Sequence, residues 1–323
     1  VLFRSREAKE GGMIKRILRR ILPAGVYGVG KARLKRFRVR RQLLKPKIGE
    51  DAMRRILADE LRLVRGDIVF VHSSVDALNL DFPFFKLLGM LREVVGAEGT
   101  LLFPASQLTE RPETWLAGGQ VFDLKRSPTS MGLLAEWARR QRGSERSMHP
   151  THSVVAQGPL AVELLGEHHW SPAPCGVHSP YYKMLEKGGV VVGLGVDADV
   201  LTMVHCVEDV LGGRFPVQTR RSELYSARVL DMEGHESLVK TVIGHPRMRF
   251  RRMLDFMACH IDGRVCRRLQ VEGVPFYRVE DKPLYESMMT LAQRGVTIYW
   301  RSIHRQSPFE TILSYMAEKL EAR

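Results

Sequence analysis

The chain has 323 residues, 44% of them hydrophobic and 27% charged, the make-up of an ordinary globular protein able to bury a sizeable core in one large domain or two modest ones. No apolar run approaches the ~20 residues of a membrane-spanning helix, which excludes that class of span. The net charge of +14 sits wholly in residues 1–47, which hold 16 Lys/Arg against Glu7 and Glu10 and leave 34 bases and 34 acids elsewhere. A nucleic-acid-binding domain would spread its cations over a folded face, so no nucleic-acid partner is expected.

In chain order, residues 1–12 read as a non-native leader. Lys9-Glu10-Gly11-Gly12 ahead of Met13 is what a translated ribosome-binding sequence encodes, and Met13 is the expected start. Residues 13–47 then form a basic arm. Ile14, Ile17, Leu18, Ile21 and Leu22 make an apolar stripe opposite Lys15, Arg16, Arg19 and Arg20, and Pro23 ends it. Residues 13–22 would suit peripheral contact with an anionic membrane, or packing on the chain's own domain or a partner subunit. Gly25, Gly28 and Gly30 act as hinges, since no G-x-G-x-x-G fingerprint follows a strand here.

The folded domain is expected over 48–323. Met53, Ile56, Leu57, Leu61 and Val64 have helical spacing. The run from Ile68 to Val71 predicts a buried strand that delivers His72-Ser73-Ser74 at its end. A helix over 84–95 is closed by Gly96, and a strand over 100–103 leads to Pro104-Ala105-Ser106. A helix over 131–140 and strands over 153–157 and 190–194 follow. After Thr219, the alternation of Tyr225, Ala227 and Val229 with a Glu233-Gly234 turn predicts antiparallel strands, and 282–294 predicts a last helix. Apolar strands alternating with amphipathic helices argue an α/β domain with a covered sheet. Ligands bind beyond the carboxyl ends of such strands, which points to Ser73, Ser74 and Ser106.

Cys175, Cys206, Cys259 and Cys266 form no CxxC pair, so free thiols and a cytoplasmic location are expected. Cys259, His260 and Cys266 fall short of the four ligands of a zinc clip, and no metal is expected.

Chemistry concentrates in Thr202-Met203-Val204-His205-Cys206-Val207-Glu208. On a helix, spacing by three stacks Thr202, His205 and Glu208 on one face. An imidazole that takes a proton, a carboxylate that fixes its tautomer and a hydroxyl beside developing charge are the parts of a proton relay. Upstream lie Arg146-Ser147-Met148-His149-Pro150-Thr151-His152-Ser153, Glu167-His168-His169 and Gly176-Val177-His178-Ser179-Pro180. Further back, Gly66-Asp67-Ile68-Val69-Phe70-Val71-His72-Ser73-Ser74 precedes Gly96-Ala97-Glu98-Gly99-Thr100-Leu101-Leu102-Phe103-Pro104.

In order and spacing these motifs resemble the aminoglycoside 3-N-acetyltransferase family, from about Arg54 to Trp300. The resemblance implies a three-layer α-β-α domain with a central mixed sheet and a smaller antiparallel β-rich C-terminal portion. It implies acetyl-CoA as cosubstrate and an aminoglycoside or amino sugar as acceptor. It also implies His205 as general base, oriented by Glu208, with Thr202 bonding the oxyanion or the acceptor. His72, Ser73, Ser74, Ser106, Arg146 and Ser147 become candidates for binding coenzyme A, and His149 and Asp199 for the acceptor. Pro150 holds His149 extended, so its ring would line the acceptor pocket or stabilise a loop. His152 and His169 are weaker candidates.

The chain departs from the family pattern in places. Residues 76–85, Asp-Ala-Leu-Asn-Leu-Asp-Phe-Pro-Phe-Phe, hold no glycine where resistance enzymes usually have several, and Leu201 replaces a frequent asparagine. The neutral body also contrasts with the acidic pockets that polycationic antibiotics favour. Family members occur in surface-polysaccharide pathways, and a basic arm fits a membrane-side amino sugar. Two alternatives stand beside the acetyltransferase. One is a non-catalytic relative acting as a membrane- or nucleic-acid-associated adaptor. The other is a zinc hydrolase built on His149, His152, His205 and Glu208.

Overall fold

The computed structural model describes residues 46–299. The expected leader, the amphipathic stripe of residues 13–22 and nearly all of the basic linker lie outside them. No helix among the described residues is long and apolar enough to cross a membrane.

Helix α1 (Glu50–Arg55) runs on through a π turn over Ile56–Glu60, burying Met53, Ile56 and Leu57. It stops short of residue 64, because Arg62 adopts a left-handed conformation (φ 51°). Strand β1 (Ile68–Ser73) sends Ile68 and Phe70 into one apolar cluster and Val69 and Val71 into another. That continuous apolar run is the signature of a strand covered on both faces. The single turn α2 (Val75–Leu78) leads to α3 (Lys86–Val95), which Gly96 closes at φ 69°, and then to β2 (Thr100–Pro104). Next come α4 (Pro112–Ala117), β3 (Val121–Asp123), α5 (Leu133–Arg139), β4 (Glu145–Arg146) and β5 (Val154–Gln157). Helices α6 (Ala161–Leu165) and α7 (Pro180–Glu186) precede β6 (Val190–Leu194) and α8 (His205–Leu211). Ser179 caps α7 by accepting the Tyr182 N–H, with Pro180 at the first helical position. The chain ends its described course with β7 (Tyr225–Leu230), β8 (Glu236–Thr241), α9 (Met253–His260), β9 (Cys266–Val271), β10 (Val274–Glu280) and α10 (Asp281–Gln293).

Seven strands form the main sheet in the order β4-β5-β2-β1-β6-β10-β9. The central trio β2, β1 and β6 is parallel, and the flanking strands are antiparallel. Helices α1, α3 and α5 cover one face, and α6 to α10 the other. The three-layer α-β-α domain with a mixed sheet is therefore present.

The smaller sheet differs in detail from the expectation. The β7–β8 hairpin forms around the Glu233-Gly234 turn, but β3, from the first half of the chain, pairs parallel with β7. Trp115, Phe122, Val229 and Val239 give this sheet its own apolar cluster. The late strands β9 and β10 join the edge of the main sheet instead.

Because β2 and β6 lie on opposite sides of β1, the chain changes direction at the carboxyl end of β1. That is where open α/β sheets leave a crevice. Ser73 pairs in register with Leu194, and the Ser74 N–H donates to the Leu194 carbonyl at 2.9 Å. The two strand ends that flank the crevice are thus tied together.

Candidate active site

The chain leaves β6 through a 3-10 turn (Ala198–Val200) and enters α8 at His205. Thr202 is not on the helix, contrary to the three-residue stacking expected. It sits one turn ahead, and its carbonyl accepts the His205 N–H at 3.0 Å. His205 and Glu208 do share a face. Nδ1 of His205 lies 2.9 Å from Oε2 of Glu208, within ion-pair range but without the direction of a good hydrogen bond. The other oxygen, Oε1, accepts the Tyr299 hydroxyl at 3.0 Å. Glu208 is only 1% exposed. Burial works against its ionisation, yet His205, Arg220 and Tyr299 together hold the carboxyl below its ordinary range.

The next residue, Asp209, binds Arg220 through both oxygens at 2.6 and 2.8 Å and accepts the Cys175 N–H at 2.8 Å. Burial opposes the Arg220 charge, but Asp209 outweighs it and keeps the guanidinium ionised. Neither Arg220 nor Tyr299 lies in a motif the sequence singles out. The visible signal was the doubled acid Glu208-Asp209 in an otherwise apolar helix.

Behind this relay stands a cluster of imidazoles. The His149 ring stacks on His168 at 4.7 Å and 26°, and its Nδ1 accepts the His152 N–H at 3.2 Å. His168 has Nε2 2.9 Å from the Pro174 carbonyl and Nδ1 2.8 Å from the Ser147 hydroxyl, so Nε2 carries the proton and Ser147 donates. The Ser147 Oγ also accepts the Val154 N–H at 2.9 Å. Burial drives all three histidines toward neutrality, His168 down to about 3 and His149 and His152 well below 6.5. His149 has no exposed surface, its ring enclosed behind the relay. His152 is half-buried. After burial, Arg220 and His205 are the main causes of its lowered basicity, which sets its ring beside the relay.

The expected coenzyme A residues divide into two groups. Ser73 and Ser74 are half-buried at the end of β1 beside the crevice. Ser106 lies two residues past the end of β2, where its hydroxyl accepts the Leu108 N–H and its carbonyl is taken by Thr129 and Ser130. His72 is buried with Nε2 unpartnered, and burial pushes it down to about 4.

Arg146 and Ser147 have partners within the protein. The buried Arg146 guanidinium donates to the carbonyls of Ala105 (2.6 Å), Leu124 and Ser127 and to Ser153 Oγ, and it lies over the Phe122 ring. Ser147 is committed to His168 and Val154. Both are occupied inside the protein. Asp199 is exposed on the 3-10 turn, and partial burial and the neighbouring Asp197 raise its carboxyl. Among the described residues, the group whose metal-ligating atoms converge is Asp231, Glu233 and His235 on the β7–β8 turn, not the His149, His152, His205 and Glu208 set.

The model of the family described as aminoglycoside 3-N-acetyltransferase matches residues 70–292. The chain belongs to this family. Aminoglycoside N(3)-acetyltransferase VII of Streptomyces paromomycinus is 33% identical over 192 residues, 54% of this chain and 66% of that protein. Aminoglycoside N(3)-acetyltransferase IX of Micromonospora chalcea is 33% identical over 176 residues, 49% and 62% of the two chains. These alignments span just under two thirds of the relatives' lengths. Among solved structures, aminoglycoside acetyltransferase AAC(3)-Xa superposes with a TM-score of 0.64 at 23% identity, covering 76% of this chain and 93% of that one. AAC-IIIb, solved as a binary complex with CoASH, gives 0.60 at 22% identity, with 76% and 97% covered. These two likenesses establish the shared fold of this acetyltransferase-family chain.

Proposed function

We propose that this family member transfers the acetyl group of acetyl-CoA directly to an amine of an amino sugar or aminoglycoside, with His205 as general base. The observation that carries the reading is the His205–Glu208 pair, held in a buried setting at the start of α8. Only the free amine attacks, so a base must take its proton as the N–C bond forms. His205 takes that proton, Glu208 steadies the imidazolium, and the C–S bond then breaks. The proton passes to the departing thiolate. In this reading Thr202, one turn ahead, donates to the oxyanion or the acceptor. The hydroxyls of Ser73 and Ser74 are offered to the pantetheine arm.

Two solved relatives support the ligand classes. AAC-IIIb holds CoASH, and AAC-VIa is described as bound to sisomicin. A covalent route through Cys206 fits less well, because that thiol is wholly buried and burial pushes it well above its ordinary range. The neutral body and the glycine-free segment over 76–85 favour an amino sugar of lower charge than a polycationic antibiotic, and the basic arm suits one carried at a membrane surface.

The test is to incubate the full chain with acetyl-CoA and a panel of amino sugars, nucleotide-linked amino sugars and aminoglycosides, following release of free coenzyme A. Acceptor-dependent release that falls at least about 100-fold in His205→Ala is expected. No release with any acceptor, together with no binding of acetyl-CoA, would leave a non-catalytic family member as the better reading.

A further inference from the structure

We infer that Tyr299 is a positioning residue of the relay, its phenol setting how tightly Glu208 holds the proton on His205. The inference rests on the general-base reading of His205. It begins from the division of labour on one carboxylate. Oε2 of Glu208 faces His205 Nδ1 at 2.9 Å, while Oε1 accepts the Tyr299 hydroxyl at 3.0 Å. Tyr299 stands seven residues beyond the last residue matched by the family model, so it reaches the relay from outside the matched stretch. Its placement is specified by several contacts. The ring meets Phe215 edge-on at 6.5 Å, the backbone N–H donates to Thr297 Oγ1, and the neighbouring Ile298 carbonyl accepts the Arg252 N–H at 2.7 Å. Burial and the adjacent Glu208 push the phenol well above its ordinary range, so it stays protonated and keeps its hydrogen for Glu208.

A neutral donor on one oxygen spreads the carboxylate's charge and weakens its hold on an imidazolium at the other. Removing the donor concentrates that charge and tightens the carboxylate's hold on the imidazolium formed in the reaction. It also removes a partner that favours ionised Glu208. Both effects move the acid limb of activity upward. The other titratable groups around the relay are Asp209 and Cys206 on α8, Arg220 ahead of β7, Cys175 ahead of α7, His152 ahead of β5 and Arg251 ahead of α9.

The experiment is the pH profile of kcat/KM for Tyr299→Phe, a change that keeps the ring against Phe215, with His205→Ala alongside. The acid limb should rise by about one pH unit, giving up to roughly tenfold lower kcat/KM on the acid side of that limb and nearly unchanged values on the alkaline plateau. A limb that does not move, or an equal loss at every pH, overturns the inference and leaves Tyr299 a packing residue. If His205→Ala keeps its turnover, the general-base reading is what has failed. If His205→Ala is inactive and the Tyr299→Phe limb is unmoved, the base stands and the phenol has no part in it.

Discussion

Arg146 shows how a side chain can be spent before a ligand arrives. In the sequence it precedes a His-Pro motif and offers a cation to phosphates. In the fold it is buried, serves three carbonyls and the Ser153 hydroxyl, and burial pushes its guanidinium down to about 9. Arg146→Ala strips those carbonyls of their donor, and a loss of roughly 3 kcal/mol of stability is expected. Thermal melting measures it, and the KM for acetyl-CoA of the folded fraction should change little. An unchanged melt with a selectively raised KM would return Arg146 to the coenzyme. At this scale the sequence was legible where chemistry and spacing agreed, as for His205 and Glu208. It could not separate His149, wholly enclosed, from His152, half-buried beside the relay, because both imidazoles lie in one short motif. Arg220 and Tyr299 carry no local pattern at all, and only the tertiary fold brings them to Asp209 and Glu208.

Elements announced themselves when their own residues decided their burial. β1, β2, β5 and β6 are apolar runs covered on both faces, α3 and α10 are amphipathic, and the β7–β8 turn contains its glycine. β3 leaves no periodic trace in the sequence, because its three residues pair with a strand about a hundred positions later. β9 and β10 were missed for a related reason, since their place at the edge of the main sheet depends on β6. That junction is close. Tyr277 of β10 lies over Gly193 of β6, and a Cβ on Gly193 would come within 2.1 Å of its ring. Both residues are fully buried, so the ring has nowhere to retreat. Gly193→Ala should therefore cost about 3 kcal/mol or more through overpacking, read as a lowered urea midpoint. A midpoint equal to that of the unsubstituted chain would show that the β6–β10 junction yields.

Across the whole molecule, His72, His149, His152 and His168 are all held neutral by burial, His72 down to about 4 and His168 to about 3. A histidine whose folded pKa lies below 6.5 takes up its proton more readily in the unfolded chain. Stability from such groups is complete above about pH 6.5 and is lost as the pH falls from there toward the folded values, by up to about 1.4 kcal/mol per pH unit for each group. Glu208, depressed in the fold, adds a loss of the same sign at lower pH. Urea midpoints should thus be level between pH 7 and 8 and fall steeply between about pH 6.5 and 4. A flat response across that window would mean that these rings are protonated in the folded state. The separation of the pairs that build the site has a consequence for its biosynthesis. Tyr299 and Glu208 are 91 residues apart, and Asp209 and Arg220 are 11 apart. During translation the histidine and its carboxylate are made long before the phenol that completes them. A nascent chain that has reached residue 292 already holds the whole stretch that defines the family, with its relay still one hydrogen bond short.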